Sequence, residues 1–454
     1  MSSISEPAQP ALKQAPADSA TKTLINRNFA RLMPLLVAGY ILNFLDRTNI
    51  ALASAALQKD VGISPEIYGF GAGLFFLAYA ACEVPSNLIL RRVGARPWIT
   101  RIMATWGLVS MAMCLVKGPA SFYALRVMLG VAEAGLFPGV LYYLTTWFGP
   151  REQARATGYF LIGVQLANVI GGPIGGALLS LDGAHGLKGW QWLFLVEGAP
   201  AVLFSLVVWF WLPDGPSSAR WLSTDERRQV ARYLEDERHA FGVAGDRRVW
   251  RAFLHPQVLL AIFVYFLHQI AFYGVTFFLP RIIRAWGGLS ELQIGLMTAL
   301  PWLCAFAGCA TLPWLAGRYG RTRLLMTGGL FMLAGCLLAP LALPPAAALA
   351  VFCLGMAVFS PIQAVLFTYP PARFQGMALA AGLGWLNGMG VTGGFVGPSV
   401  MGFIEKQTGQ PSSGLWVMSA ALAIAAVGSL FLRYPNEDRP RRAATSPAAP
   451  AGSG

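Results

Sequence analysis

The chain has 454 residues, of which 56% are hydrophobic and only 12% charged, and its mean hydropathy is +0.54. Soluble domains carry roughly a quarter charged residues, so this composition excludes a large soluble core and marks an integral membrane protein. The formal net charge of +13 could point to nucleic acid, but the positions of the basic residues exclude that partner, as shown below.

In chain order, residues 1–30 are polar and Ala/Pro-rich, with no short apolar core before a small-residue cleavage site. They read as a disordered cytoplasmic tail rather than a cleaved signal peptide. Twelve windows of the length needed to cross a hydrocarbon slab of about 30 Å then follow. They cover 33–57, 68–91, 98–117, 120–148, 153–181, 190–212, 254–283, 291–317, 322–343, 346–369, 374–402 and 412–433. The expected fold is an all-α membrane protein of twelve transmembrane helices. Its N-terminal six-helix half spans 31–213, a cytoplasmic linker 214–252 and the C-terminal half 253–434; residues 435–454 form a second disordered cytoplasmic tail.

The first span carries ILNFLDRTNI (41–50), an acid and a base inside a greasy run. Helical spacing puts Tyr40, Asn43 and Arg47 on one stripe, with Asp46 about 100° away. In the second span Tyr79 and Glu83 are one turn apart, and Gly69, Gly71 and Gly73 open the helix in a pattern that permits close packing. The fourth span sets Arg126 and Glu133 on one face with Gly130 and Phe137. A charge at mid-membrane costs at least about 2.5–3.5 kcal/mol, so such groups face a cavity or each other. Asp46 and Glu133 lie near mid-slab. Glu83 and Glu197, nearer helix ends, read as structural ion-pair residues.

The linker holds SSARWLSTDERRQVARYLEDERHAF (217–241), in which Ser223 and Glu226 have capping-box spacing. Arg and acids balance along it, so a solvated connector helix is expected rather than a polybasic lipid or nucleic-acid site. In the second half the positions 226 residues beyond Asp46 and Arg47 are Phe272 and Tyr273. The seventh span offers Tyr265, His268 and Gln269, and the eleventh Trp385 and Asn387, as aromatic and hydrogen-bonding counterparts to the charges of the first half. The six cysteines lie in spans without CxxC spacing or nearby histidines, and no metal or cofactor is expected.

The basic residues report topology. Of the 34 Lys and Arg, only Lys59, Lys117, Lys188, Arg281, Arg284 and Lys406 fall on one side of the twelve spans, Arg47 and Arg126 fall inside them, and the rest lie on the other side. This is the positive-inside bias, and it places both termini in the cytoplasm. Two signatures recur at nearly one offset. RRVGAR after the second span corresponds to GRYGRT after the eighth, which sets Gly94 against Gly320 at an offset of 226, and VIGGPIGG in the fifth span puts Pro173 where VTGGFVGP in the eleventh puts Pro398, an offset of 225. They argue for a duplicated six-helix unit, as in the two parallel repeats of one common transporter architecture.

Two arginines in a cavity point to an anionic ligand, because guanidinium binds carboxylate through paired charge-assisted hydrogen bonds. The two carboxylates beside them point to protons. A drug or metabolite exporter by proton antiport is the alternative; it predicts acids without central arginines. A membrane enzyme would need a nucleophile or metal set in the slab, and a sensor would need a larger soluble domain.

The runs LNFLDRTNI, LFFLAYAACEVPSNLILRRVGAR and RVMLGVAEAGLFPGVLYYLTTWF (126–148) resemble the anion:cation symporter family of the major facilitator superfamily, over about residues 30–435. That family includes permeases for tartrate, sugar acids and phthalate. The resemblance implies the major facilitator fold and import of a small organic carboxylate coupled to inward proton flow. It also implies proton sites at Asp46 and Glu133, substrate contacts from Arg47 and Arg126, and Tyr79 and Gln165 in the pocket. The expected setting is the bacterial inner membrane, with the protein functional as a monomer. The tenth span reads VLFTYPPARF, and Val391 stands where relatives often have Asn before GGFVGP. With Trp385, Phe367 and Tyr369 at hand, a small or aromatic carboxylate is as compatible as a long polyol acid.

Overall fold

The computed structural model describes residues 19–240, 254–319, 321–367 and 376–433. Each of the twelve apolar stretches falls on helix. They are α1 (Ser19–Val61), α2 (Pro65–Val93), α3 (Ala95–Ala112), the broken pair α4 (Pro119–Glu133) and α5 (Leu136–Thr145), α6 (Pro150–Leu179) and α7 (Gly189–Trp211) in the first half. The linker helix is α8 (Thr224–Ala240). The second half has α9 (Pro256–Arg284), α10 (Glu291–Tyr319), α11 (Gly329–Leu337) with a π-helical lead-in, α12 (Pro345–Phe367), the broken pair α13 (Gly376–Val391) and α14 (Gly393–Thr408), and α15 (Leu415–Ser429). Ten helical stretches among the described residues are long and apolar enough to cross a membrane, and α15 is a shorter apolar one.

Residues 19–30, expected as disordered tail, are instead helical. At about 1.5 Å per residue the 43 residues of α1 run on the order of 65 Å, well beyond a bilayer core. Contacts with the linker explain the extension. Trp221 Nε1 donates to Asn28 Oδ1 at 2.9 Å, Gln229 Nε2 to Thr21 Oγ1 at 3.0 Å, and Arg27 pairs with Glu226 at 2.7 Å. The capping box of α8 forms as its spacing predicts, with Ser223 N–H donating to Glu226 Oε2 and Glu226 N–H to Ser223 Oγ. That backbone donor, together with Arg27, holds the Glu226 carboxyl below its ordinary range. Residues 241–253, the repeat glycine Gly320, Tyr369 and the C-terminal tail lie outside the described residues.

The two halves meet along a pair of glycine-lined seams. An ideal Cβ on Gly295 of α10 would stand 2.1 Å from the Gly172 carbonyl oxygen of α6, and one on Gly69 of α2 would stand 2.2 Å from the Pro398 oxygen of α14. Adding 226 to Gly69 gives Gly295, and adding it to Gly172 and Gly176 gives Pro398 and Gly402. The offset that relates the halves in sequence thus relates the seams in space: α2 meets α14 as α10 meets α6. The α2–α14 seam begins where α1 ends and α2 starts. There Arg281 Nη2 donates to Gln58 Oε1 at 2.7 Å, Lys406 pairs with Glu66, and Tyr68 Oη donates to the Phe277 carbonyl at 3.0 Å, each across the halves. The bundle is closed at that end.

Overpacking such a contact costs typically about 1–3 kcal/mol, occasionally more. Gly295→Val is therefore expected to lower the melting temperature of the detergent-solubilised protein by several degrees. Gly158→Ala in α6, where nothing lies within 4 Å of an added Cβ, should leave it unchanged. Equal melting of both variants would show that the halves do not meet at this seam.

Candidate functional site

Midway along the bundle, α1, α2 and α4 of the first half face α9 of the second. Close approach of α4 to α2 is set by Gly130, where a Cβ would stand 2.4 Å from the Phe75 carbonyl oxygen. One turn on, Glu133 is the last residue of α4. The chain then breaks at Gly135 (φ +91°), whose added Cβ would lie 2.2 Å from Ser86 Oγ. The sequence spacing predicts an unbroken helix here. Only glycine fits this left-handed turn against Ser86, and Ser86 Oγ donates to the Ala134 carbonyl at 2.7 Å.

Arg47 and Glu133 form an ion pair across α1 and α4, with Arg47 Nε donating to Glu133 Oε1 at 3.0 Å. The Arg47 side chain is 13% exposed and that of Glu133 1%. Arg47 Nη1 also donates to Tyr273 Oη at 3.3 Å, crossing to the other half. Tyr273 is the residue 226 positions beyond Arg47, so the two pseudo-equivalent side chains touch at the axis. The guanidinium lies on an aromatic bed, 4.6 Å from the Phe44 ring centre, 5.2 Å from Phe75 and 5.6 Å from Tyr79, a cation–π setting that favours Arg.

Arg126 does not share Glu133, although the two lie on one face of α4. It is buried, its Nε and Nη2 donate to the Gly71 and Ala72 carbonyls of α2 at 3.3 and 3.2 Å, and it makes no ion pair among the described residues. Its guanidinium is 4.9 Å from the Phe75 ring centre. Arg47 and Arg126 therefore flank one ring, no more than about 10 Å apart.

Asp46 points away from this centre. It accepts hydrogen bonds from Trp106 Nε1 and Ser110 Oγ on α3 and contacts neither arginine by hydrogen bond or ion pair. Asn43 is buried with its Nδ2 unpartnered. Two polar contacts join the halves nearby. Gln165 Nε2 on α6 donates to Ser360 Oγ on α12 at 2.7 Å, and Asn387 Nδ2 on α13 to Glu83 Oε1 on α2 at 3.4 Å.

The second-half residues divide. Tyr265 is buried, its hydroxyl accepting from Gln363 Nε2 at 3.0 Å, and Trp385 is 37% exposed. His268 and Gln269 are not brought to the centre. The His268 ring is fully buried against Phe359, with its nitrogens 3.2 Å from the Phe359 carbonyl and 3.3 Å from Gln269 Oε1. It packs inside the second half. Sequence reasoning assigned no role to Tyr273, Phe75, Phe76 or Ser360 and set Glu83 aside as structural. The offset of 226 already pointed to Tyr273, and the one-turn spacing from Tyr79 pointed to Glu83.

A polytopic helical bundle with pseudo-repeated halves and buried, oppositely charged groups at their junction is the build of a membrane transporter. The Major Facilitator Superfamily matches residues 36–382 and 288–453, and the chain belongs to it. It is 40% identical over 409 residues to a "Putative tartrate transporter" of Agrobacterium vitis, covering 88% of this chain and 93% of the relative. A "Quinolone resistance transporter" of Acinetobacter baumannii is 39% identical over 407 residues, with the same coverage. The "Inner membrane transport protein RhmT" of Escherichia coli is 36% identical, covering 90% of this chain and 94% of the relative. Among solved structures, a D-xylose-proton symporter superposes with a TM-score of 0.73 at 13% identity, over 90% of this chain and 98% of that one. A bacterial homologue of the lysosomal transporter Spinster, in an inward-facing conformation, gives 0.64 at 18% identity, over 92% and 95%. The chain is a membrane transporter of this superfamily, not an enzyme.

Proposed function

We propose that the protein is a proton-coupled symporter importing a small organic anion, such as a tartrate, sugar acid or aromatic carboxylate, across the bacterial inner membrane. The observation that carries this reading is the pair of buried guanidiniums flanking Phe75, one held by Glu133 and the other without an ion-paired carboxylate among the described residues. A buried cation paired only with carbonyls is under-compensated, and a visiting carboxylate supplies what it lacks. The name carried by the Agrobacterium relatives supports the same substrate class.

By the positive-inside bias, the sealed end faces outward and both termini face the cytoplasm. The Arg47–Glu133 pair is then the empty state after release inside. When the outer end opens, a proton on Glu133 frees Arg47, with Asp46 as the second proton site, and the substrate carboxylate takes the place of Glu133 with Arg126. Tyr79, Asn43, Gln165, Tyr265, Trp385 and Asn387 shape the pocket around it, while His268 and Gln269 hold α9 to its neighbours. Neutralising the charge lets the halves rock about the glycine seams, and one protomer holds the whole site.

A second reading, export by proton antiport, draws on Glu83, an acid beside Asn387 that makes no ion pair among the described residues, and on the quinolone-resistance relative. One experiment separates the two. The purified protein in proteoliposomes, acidic outside, is expected to accumulate labelled tartrate, a sugar acid or an aromatic carboxylate, with alkalinisation of the medium on substrate addition. Accumulation driven only by the opposite gradient would establish export, and accumulation without any gradient dependence would remove proton coupling.

A further inference from the structure

Phe75, Tyr79 and Glu83 follow one another at one-turn intervals along a face of α2. Phe75 lies between the two guanidiniums, and the Tyr79 ring centre is 5.6 Å from that of Arg47. Glu83 continues the line away from the sealed end, about 6 Å along the helix from Tyr79. There Asn387 Nδ2 of α13 donates to its Oε1 at 3.4 Å, across the halves. That is long for such a bond. Among the described residues Oε2 accepts no hydrogen bond and Glu83 makes no ion pair.

The space beside Glu83 is open. Near the sealed end α2 and α14 are in hard contact, since an added Cβ would stand 2.2 Å from the Pro398 oxygen at Gly69 and 2.8 Å from the Phe395 oxygen at Gly73. At the level of Glu83 the helices have parted. A Cβ on Gly388 of α13 would meet only Glu83 Oε2, at 3.9 Å, and one on Gly384, a turn farther from the seal, would meet nothing within 4 Å. Glu83 and Asn387 are both half-buried. The carboxylate thus lines a cleft between the halves that widens away from the seal and begins at the arginines.

This cleft is dipolar. One end offers guanidiniums, which take a carboxylate, and the other offers a carboxylate, which takes a donor and repels a second anion. An anion held by Arg47 and Arg126 and laid along this face of α2 brings its far end to Glu83. A hydroxyl there gives the carboxylate a shorter, charge-assisted hydrogen bond than Asn387 supplies. A second carboxylate there meets a like charge where little water screens it. Selective sites combine an attractive and a repulsive element in this way.

We propose that Glu83 sets the transporter's choice among organic anions: it accepts a hydrogen bond from a hydroxyl at the end opposite the bound carboxylate, and it excludes a second ionised carboxylate. The inference rests on organic-anion transport as the function, and it narrows the substrate to hydroxylated monocarboxylates over dicarboxylates such as tartrate. It depends on neither the direction of transport nor its coupling to protons.

The test measures binding to the purified protein by calorimetry, with gluconate, glucarate and hexanoate as probes. They share one chain length and end, opposite the common carboxylate, in a hydroxyl, a second carboxylate and a methyl group. The wild type is expected to bind gluconate at least about tenfold more tightly than either of the others, the worth of one hydrogen bond to a charged group. Glu83→Gln keeps the shape and an acceptor for Asn387 but removes the charge. It should weaken gluconate by a few-fold and tighten glucarate by about tenfold, so that the preference disappears. Glu83→Asp, which keeps the charge, should still exclude glucarate. An unchanged ratio of gluconate to glucarate in Glu83→Gln overturns the inference, as does equal weakening of all three probes, which assigns Glu83 to packing. A wild type that binds glucarate, tartrate or benzoate as tightly as gluconate also overturns it and leaves anion transport standing. A wild type that binds no carboxylate overturns both.

Discussion

Glu133→Gln is expected to abolish uphill accumulation while preserving, or increasing, exchange of substrate across the membrane. In the structure Glu133 holds Arg47 by an ion pair in a nearly dry site. Gln keeps the shape and one acceptor but removes the charge that competes with a substrate carboxylate for Arg47. Hydrogen bonds to charged groups contribute roughly 1.5–3 kcal/mol, and weakening one competitor by even half of that tightens anion binding severalfold. The variant can no longer take up a proton, so the gradient has no purchase there. Each elementary charge moved through 100 mV is worth about 2.3 kcal/mol, close to a fiftyfold concentration ratio, and that ratio is what Glu133→Gln should lose. The measurement compares gradient-driven uptake with counterflow in the same vesicles. Wild-type accumulation in the variant would falsify the exchange of partners at Arg47.

How much of this could be read beforehand depended on whether the determinant was local. The twelve spans follow from apolar length alone, because lipid demands internally satisfied backbone over about 20 residues. The repeat was legible through its glycines and prolines, but that its offset would also pair the seams and bring Arg47 to Tyr273 was not read from it, because contact between the halves is not written in either half. Where a contact between distant segments decided, sequence spacing fell short. Residues 19–30 look like tail because they are polar, yet Asn28 and Arg27 find partners in the linker, Trp221 and Glu226, and the helix continues. Spacing put Arg126 and Glu133 on one face but could not say that Glu133 would turn to α1 and Arg126 to the carbonyls of α2.

Rotation about a helix axis was the least legible quantity. α9 is buried on almost every side, so no polar stripe marks the face that meets the pocket, and His268 was grouped with the cavity although it packs on Phe359. Asp46 was placed about 100° from Arg47, but spacing alone does not say that Trp106 and Ser110 wait there. Depth misled for Glu83. Its nearness to a helix end suggested a structural role, while α13 brings Asn387 to it from the other half.

Arg47→Lys separates the roles of charge and shape at the centre. Lysine keeps the positive charge but offers a compact ammonium in place of a planar fork. It cannot at once reach Glu133, Tyr273 and the faces of Phe44, Phe75 and Tyr79, all of which the guanidinium touches. Substrate affinity is expected to fall by about ten- to a hundredfold, the worth of one to two charge-assisted hydrogen bonds, with little loss of thermal stability because Glu133 remains compensated. Arg47→Ala should behave differently. Removing one partner of a buried pair costs about 3–5 kcal/mol, since Glu133 is left charged in a dry site, and the melting temperature should drop accordingly. Adding Glu133→Gln to Arg47→Ala should recover most of that stability and none of the transport, a non-additivity that only direct contact between the two produces. Full additivity in melting, or near-native affinity in Arg47→Lys, would mean that the pair is not the element at which substrate and proton compete.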